Sequence, residues 1–317
     1  MNIDFTGIRD ILNYDKILIS GHKNPDGDSV GSALALALIL RKLGKSPDIY
    51  IKELPEHYKM LNGTEMYTST VDNNYDLFIA LDSGDKDRVE EVAKQFENAK
   101  MTYNIDHHIS NTNFAMRNYV TEASSTGEII FHVAKELGAK IDKDIASAIF
   151  LAIISDTGLY QYKNTTSETY AVVTELMKND IDFDRLIREL FFERTYEQTK
   201  LLGRALENME LLFDKRVALS TITFKELKDI NAKTNEINGI VNTIMQIKGL
   251  KIAIFMYEPA PNNVKVSFRS MEPYNVCEIA QKLDGGGHIL AAGAITKGRM
   301  DEIKEMVLKL VSEAINK

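Results

Sequence analysis

Four apolar segments of this chain each run directly into an acid or an imidazole. Ile17-Leu18-Ile19-Ser20 leads to His22, Asp26 and Asp28; Leu77-Phe78-Ile79-Ala80-Leu81 leads to Asp82; Met101-Thr102-Tyr103-Asn104-Ile105 leads to Asp106-His107-His108; and Ile149-Phe150-Leu151-Ala152-Ile153-Ile154 leads to Asp156. The first three, short apolar runs bounded by turn residues, read as strands buried on both faces. In an open α/β sheet the loops at the carboxyl ends of such strands share one rim. This recurrence constrains the chain to a mostly parallel sheet covered by helices. His22, Asp26, Asp28, Asp82, Asp106, His107 and His108 can then meet on that rim.

Taken singly, none of these pieces demands a site. Two histidines after an aspartate suit a surface turn. Gly21-His22-Lys23-Asn24-Pro25-Asp26-Gly27-Asp28 suits a Gly/Pro/Asp turn in which Asp28 or Ser29 caps the next helix. A turn, however, does not need a histidine and two acids able to converge. The Gly-Lys-Ser/Thr ending of a phosphate-binding P-loop is also missing.

Composition narrows the partners. With 317 residues, 44% of them hydrophobic, the chain can pack two domains. A formal net charge of −8 argues against a long basic groove for duplex or extended single-stranded nucleic acid, and leaves room for small anionic ligands. The single cysteine, Cys277, excludes an intrachain disulfide and a thiolate metal cluster, which fits a reducing compartment. The N-terminus lacks a basic region followed by an apolar one, and no uninterrupted apolar stretch reaches about 18 residues. The expectation is a soluble cytoplasmic protein with no membrane contact.

In order, Lys16 to Ser20 reads as a buried strand and Ser29 to Leu43 as a helix ended by Gly44. Strands at Asp48 to Lys52 and Leu77 to Leu81 follow, then a helix around Val89 to Phe96 and the strand that leads to Asp106. Ser125-x-x-Glu128 predicts a capping box opening a helix to about Leu137; Ser124 and Ser125 are assigned to capping, and His132 to packing or surface. Lys143 to Ile154, apolar nearly all round, predicts a central buried helix. Asp156 ends it, and a lone acid there is costly unless paired or bound to a cation. Ser167 to Asn179 and Phe183 to about Phe213 are amphipathic helix, the latter serving as connector. Strands at Arg216 to Phe224, Lys251 to Tyr257 and Val264 to Phe268, with a helix at Glu236 to Ile247, make a smaller α/β domain. After a helix at Val276 to Leu283 comes Asp284-Gly285-Gly286-Gly287-His288. A helix C-cap needs one glycine, whereas three expose backbone N–H groups and let a ligand approach the main chain. Arg269, directly after a strand, can add a charge-assisted bond to the same ligand.

Imidazole and carboxylate without thiolate suit a hard or borderline divalent cation such as Mn2+, with Mg2+, Co2+ or Zn2+ as competitors. So many acids on one rim repel each other unless cations are present, and they exceed the needs of one ion. Two ions about 3.5–4 Å apart require a bridging carboxylate and acidify a shared water, which supplies hydroxide for in-line attack on phosphorus.

Gly21-His22-x-x-Pro25-Asp26-Gly27-Asp28, Asp82-Ser83, Asp106-His107-His108 and Ser155-Asp156-Thr157-Gly158 resemble the successive motifs of the DHH phosphoesterase superfamily. Gly285-Gly286-Gly287-His288 with Ala291-Ala292-Gly293 resembles the hallmark of its companion DHHA1 domain. The motifs stand in family order across almost the whole chain, and no motif position departs. In size and pairing the chain resembles the bifunctional oligoribonuclease and 3′-phosphoadenosine 5′-phosphate (pAp) phosphatase group, the nanoRNases.

The resemblance implies a DHH metal-binding domain over 1–188, a helical linker over 189–213 and a DHHA1 substrate-binding domain over 214–317, with the active site in the interdomain cleft. It implies that His22, Asp26 and Asp82 hold one Mn2+ and that Asp28, Asp82, His107 and Asp156 hold the other, Asp82 bridging. Catalytic His108 would face the scissile phosphate and Asp106 would orient a histidine, while Arg269, Gly285, Gly286, Gly287 and His288 grip the nucleotide's terminal phosphate or base. The implied activity is hydrolysis of short RNA to mononucleotides and of pAp by a homodimer with two Mn2+ per chain, Mg2+ or Co2+ substituting. Cyclic di-AMP or its linear product pApA is the rival substrate. A manganese pyrophosphatase is less favoured because its second domain uses a basic motif in place of Gly-Gly-Gly-His, and a RecJ-type exonuclease would carry extra domains. A non-catalytic nucleotide-binding protein would not be expected to keep every ligand.

Overall fold

The structure, a computed structural model, describes residues 4–315. The chain divides between Glu193 and Arg194 into two compact units. Among the described residues no helix is long and apolar enough to cross a membrane.

In the first unit the elements are β1 (Ile17–Ser20), α1 (Gly27–Lys42), β2 (Asp48–Tyr50), β3 (Tyr67–Thr68), β4 (Leu77–Leu81), α2 (Ala93–Asn98), β5 (Met101–Asp106), β6 (Arg117–Val120), α3 (Thr126–Leu137), α4 (Lys143–Asp156), α5 (Ser167–Met177) and α6 (Phe183–Ile187). The strands form one six-stranded sheet in the order β3-β2-β1-β4-β5-β6, parallel at every pairing. From β1 the chain winds outward to β3, then returns beside β1 at β4 and winds the other way. The reversal leaves a crevice outside the carboxyl ends of β1 and β4, where doubly wound sheets bind their ligands.

β1 and β4 are buried on both faces. Ile17, Ile19, Leu77, Ile79 and Leu81 face the core of α1, α3 and α4, while Leu18, Phe78 and Ala80 face Val92 and Phe96 on the other side. This two-sided burial is why these strands read as unbroken apolar runs. β6 extends the sheet by pairing with β5. It was not expected from the sequence, since Arg117-Asn118-Tyr119-Val120 is a half-exposed edge. Where a helix was expected over Val89 to Phe96, a 3-10 segment from Lys86 to Val92, irregular at Val89, leads into the short α2.

α1 and α4 are buried nearly all round, and small residues let them meet. A Cβ built on Gly31 of α1 would lie 2.4 Å from the Ala148 carbonyl oxygen of α4, and one on Gly127 of α3 would lie 2.4 Å from Cβ of Ala152. Close approach here draws together the ends of α1, α3 and α4, which carry Asp28, Thr126 and Asp156.

The second unit contains α7 (Tyr196–Glu207), β7 (Glu210–Leu212), β8 (Val217–Ile222), α8 (Phe224–Ile230), α9 (Ile240–Met245), β9 (Ile252–Ala260), β10 (Asn263–Ser270), α10 (Val276–Gln281), β11 (Gly286–His288), β12 (Ala291–Lys297) and α11 (Met300–Ile315). Its sheet runs β11-β12-β10-β9-β8-β7, parallel only between β8 and β9 and antiparallel elsewhere. One face packs on Ile303, Val307, Val311 and Ile315 of α11. The other packs Ala218, Ala253, Phe255 and Tyr257 against Leu201 and Ala205 of α7 and Ile240 and Ile244 of α9.

One sequence expectation changes here. The amphipathic run from Phe183 is not one helix: α6 passes through a π-helical turn at Arg188–Phe192, the helix ends, and Thr195 caps α7 by accepting from the Gln198 N–H at 3.0 Å. The glycine run leads into a strand not read from the sequence, Gly286–His288, which forms an edge paired with β12. Glycine is required there by contact: a Cβ on Gly285 would lie 2.2 Å from the Gly293 carbonyl oxygen.

The Gly31 contact gives a direct test of the helix packing. Alanine in place of glycine gains about 1 kcal/mol of helix propensity, but a side chain against a backbone carbonyl overpacks the core at a cost of about 1–3 kcal/mol. The second effect should win, so Gly31→Ala is expected to lower the urea midpoint, and Gly31→Val to lower it further. A raised midpoint for Gly31→Ala would show that α1 and α4 can separate freely.

Candidate metal centre

The loop after β1 brings His22 and Asp26 to the crevice, and the turn after β4 brings Asp82. Asp26 is the N-cap of α1: its Oδ1 accepts from the N–H groups of Asp28 at 3.1 Å and Ser29 at 3.0 Å. This leaves Oδ2 facing Nε2 of His22 at 3.7 Å. The His22 Nδ1–H donates to the Lys23 carbonyl at 2.7 Å, so Nε2 is the nitrogen presented to the crevice. His107 is held the same way, with Nδ1–H on the Ala123 carbonyl at 3.3 Å. A ring nitrogen fixed on a backbone carbonyl aims the other as a metal ligand.

Asp82 joins the two histidines. It is buried, 1% exposed, and adopts a left-handed φ of 53°, a conformation Asp tolerates better than most residues. One carboxylate oxygen, Oδ2, lies 3.4 Å from Nε2 of His22. The other, Oδ1, lies 3.6 Å from Nε2 of His107 and accepts from the Thr126 hydroxyl at 3.3 Å. Nε2 of His107 also faces Asp28 at 3.8 Å and Asp156 at 3.6 Å. Asp28 is fully buried, its two oxygens accepting from the N–H groups of Thr126 at 2.7 Å and Gly127 at 2.9 Å. These sit at the N-terminus of α3, where the helix dipole favours negative charge.

The charges are strongly coupled. Burial opposes protonation of His22, yet Asp26 and Asp82 outweigh it and push the ring up to about 10. Burial likewise opposes protonation of His107, but Asp82, Asp28 and Asp156 raise it to about 10. Burial raises Asp156 to about 6, with His107 opposing. Asp28 is raised well above the carboxylate range by burial and then by Asp82. Burial also acts to raise Asp82, but the two histidines overcome it and hold this carboxyl well below its usual range. The arrangement thus draws positive charge into the crevice.

His108 is arranged differently. Its Nδ1–H donates to Asp106 Oδ1 at 2.7 Å, and that bond raises the ring above its ordinary value. Asp106 is fully buried and is steadied by the side-chain amide of Asn111, which also donates to Asn104 Oδ1 at 2.7 Å. Asn104 in turn donates to the Ser83 carbonyl at 3.1 Å.

Three groups of side chains can therefore hold cations, the donor atoms in each within 4.8 Å of one another: His22, Asp26 and Asp82; Asp28, His107 and Asp156; and Asp82, Asp106, His107 and His108. The fit to divalent metal rests on donor chemistry and aim: neutral-capable imidazole nitrogens and carboxylate oxygens converge, at the spacing expected of ligands about 2.1 Å from a shared ion. Every candidate ligand named from the sequence falls in one of these groups.

The sequence reading missed the amides and the helix end that hold these ligands: Asn104, Asn111, Asn164 and the N–H groups of Thr126 and Gly127. One signal was available. Asn104 interrupts a strand otherwise buried on both faces, where an unpartnered polar side chain is costly. Ser125 caps α3 as expected, accepting from the Glu128 N–H at 3.1 Å. The Glu128 carboxylate does not complete the capping box, and instead accepts from the hydroxyls of Ser124 and Thr169.

In the second unit, Arg269 stands opposite Ala291, and Ala291 opposite His288, across β10, β12 and β11. Arg269 and His288 thus share one face of the sheet. Two positions along, in the next row on that same face, Ser267, Gly293 and Gly286 are opposed, a floor of small residues. Nη1 of Arg269 donates to the Phe268 carbonyl at 2.9 Å, and His288 is exposed.

Comparison with known proteins accords with both units. The model of the DHH family N-terminal domain matches residues 16–153, and that of the DHHA1 domain matches residues 214–317. The chain is 31% identical, over 288 residues and 90% of each chain, to the Streptococcus mutans "Probable bifunctional oligoribonuclease and PAP phosphatase NrnA". It is 26% identical to a "Probable manganese-dependent inorganic pyrophosphatase" of Bacillus cereus, over 84% of this chain and 89% of that one. An exopolyphosphatase-related protein from Bacteroides fragilis, solved as a crystal structure, superposes with a TM-score of 0.88 at 25% identity, covering 98% of this chain and 97% of that one. The histidine and carboxylate crevice and the paired domains are therefore those of a phosphoester hydrolase, and the chain belongs to the DHH family in its DHH–DHHA1 form.

Proposed function

We propose that this protein hydrolyses short oligoribonucleotides to mononucleotides and removes phosphate from pAp, using two Mn2+ per chain. The observation that carries the two-cation reading is the division of Asp82, whose Oδ2 faces His22 and whose Oδ1 faces His107. One carboxylate shared between two imidazole-bearing groups is the arrangement a bridging ligand needs. The similarity to the Streptococcus mutans relative supports the choice of substrate, and the relative named as manganese-dependent supports the choice of metal.

In this reading His22, Asp26 and Asp82 hold one cation, and Asp28, Asp82, His107 and Asp156 hold the other. The bound cations supply Lewis acidity toward phosphoryl oxygen and acidify water at neutral pH. The protein's own groups do the rest. His108, whose Nδ1 is fixed on Asp106, turns Nε2 toward the scissile phosphate and places a proton or hydrogen bond where charge develops. Arg269, His288 and the backbone of Gly285, Gly286 and Gly287 hold the nucleotide end, with the Ser267–Gly293–Gly286 row leaving room for a flat base or sugar. A grip on one nucleotide end selects short substrates on an acidic protein that has little to offer a long phosphate backbone.

The substrate assignment is tested by side-by-side product analysis with Mn2+ on labelled RNA from dimer to pentamer, pAp, pApA with cyclic di-AMP, and pyrophosphate. Short RNAs and pAp should turn over fastest. Dominant cleavage of pApA or cyclic di-AMP would move the protein to second-messenger turnover, and dominant pyrophosphate hydrolysis would overturn the nucleotide grip.

Asp82→Asn keeps the shape and tolerates the left-handed backbone, but removes the shared charge. It should retain the circular dichroism spectrum and lose activity by about three orders of magnitude, the scale of removing a strong electrostatic group from an active site. Turnover near that of the parent would sink the bridging role.

Cation binding should also release protons, because an imidazole ligates only as a neutral base. His22 and His107, both pushed up to about 10, carry protons at pH 8, so calorimetry in buffers of different ionisation enthalpy should report release of about two protons per chain on Mn2+ saturation. The stability consequence has a definite sign. A raised imidazole stabilises the fold fully below its unfolded value near 6.5, and that contribution fades as pH climbs toward 10. In EDTA the melting temperature should therefore fall from pH 6.5 to 8.5, and the stabilisation gained on adding Mn2+ should grow over the same interval.

A further inference from the structure

The segment after Asp156 adopts an unusual backbone. Gly158, Leu159 and Tyr160 take φ of 53°, 57° and 64° in succession, a conformation that non-glycine residues rarely adopt. Such a turn persists only where its surroundings over-determine it. Here the Thr157 carbonyl accepts from the N–H groups of Gln161 at 2.9 Å and Tyr162 at 3.0 Å, and the Thr157 hydroxyl accepts from the Tyr160 N–H at 3.1 Å. The Tyr162 ring packs so closely on Gly158 that a Cβ there would lie 2.5 Å from it.

The reversal returns the chain to Asp156 at Asn164. The Asn164 amide Nδ2 donates to the Asp156 carboxylate Oδ2 at 3.3 Å, to the Asp156 carbonyl at 3.1 Å and to the Ser124 carbonyl at 2.8 Å. Oδ2 is the same oxygen that faces Nε2 of His107 at 3.6 Å. The Asn164 Oδ1 is buried and has no hydrogen-bond partner, an arrangement that costs free energy. Turning the amide over would set that oxygen against three others, so the acceptors fix its orientation. The side chain gives up its acceptor in order to place its donors.

Ser124 lies just before Ser125, the cap of α3, and the first N–H groups of that helix hold Asp28. Asn164 therefore ties Asp156 to the helix end that fixes Asp28, and both carboxylates face His107. We propose that Asn164 is a positioning residue for the cation held by Asp28, His107 and Asp156, setting the direction of the Asp156 carboxylate and its distance from Asp28. The proposal rests on Asp156 being a cation ligand, and its test separates the two claims.

The experiment is Mn2+ titration calorimetry on the EDTA-stripped full chain, comparing the parent with Asn164→Ala, Asn164→Ser, Thr165→Ala and Asp156→Ala. The parent should bind two ions and Asp156→Ala should lose or severely weaken one. Asn164→Ala should keep both but weaken one of them by about 10- to 100-fold, as loss of a supporting hydrogen bond to a ligand does, with the other unchanged. Asn164→Ser, which retains one donor, should fall between parent and alanine, and serves where the alanine variant does not fold. Thr165→Ala alters the same loop at a buried hydroxyl without a partner and should bind as the parent does. Parent-like binding by Asn164→Ala and Asn164→Ser, alongside a lost site in Asp156→Ala, would overturn the role of Asn164 alone. Equal weakening by Thr165→Ala would reduce the effect to general loop disruption and overturn it too. Two undisturbed sites in Asp156→Ala would overturn the ligand assignment on which it rests.

Discussion

Mutual repulsion among buried carboxylates is the constraint around which the first unit is built. Donor oxygens of Asp28 and Asp156 lie within 4.8 Å of each other, and like charges at that separation repel by roughly 3–4 kcal/mol at an effective dielectric of about 20. Asp82 adds a third charge to the same space. Natural cores avoid such crowding unless something returns the energy. Part of the return is visible: two imidazoles converge on Asp82, and the N-terminus of α3 meets both oxygens of Asp28. The remainder calls for cations, and the fold supports that requirement with close helix contacts at Gly31 and Gly127.

The sheet topology explains why these groups could be collected at all. The candidate ligands come from the loop after β1, the first turn of α1, the turn after β4, the end of β5 and the last turn of α4. Only at a reversal of strand order do the ends of β1 and β4 lie side by side with a crevice between their helices. The parallel arrangement sets every strand's carboxyl end on the same side. One left-handed residue, Asp82, then suffices to turn a carboxylate into the opening.

Much of this was legible in the sequence because its causes are local. β1, β4 and β5 announce themselves as apolar runs ending in chemistry, and that pattern points to every candidate ligand except Asp156, which ends the apolar helix α4. The edges were not legible. β6 is short and half-exposed, and β12, Ala-Ala-Gly-Ala-Ile-Thr-Lys, is made a strand mainly by pairing with β10 and β11. The glycine run reads from the sequence as exposed backbone open to a ligand, and its pairing with β12 as an edge strand is set by contacts with Gly293 and its neighbours that no local pattern announces. The supporting amides are harder to read for another reason: asparagine is an ordinary turn residue, and apart from the polar interruption of β5 at Asn104, nothing in the chain reveals that Asn111 will meet Asp106 or that Asn164 will meet Asp156.

The spread of the ligands along the chain bears on how activity is acquired during synthesis. His22 and Asp156 are separated by most of the first unit, and the group of Asp28, His107 and Asp156 draws on segments that become neighbours only after the strands have paired and α4 has docked against α1. A growing chain that ends before Asp156 can complete only part of the centre. The complete charge cluster of this phosphoester hydrolase is therefore assembled only once the first unit has closed.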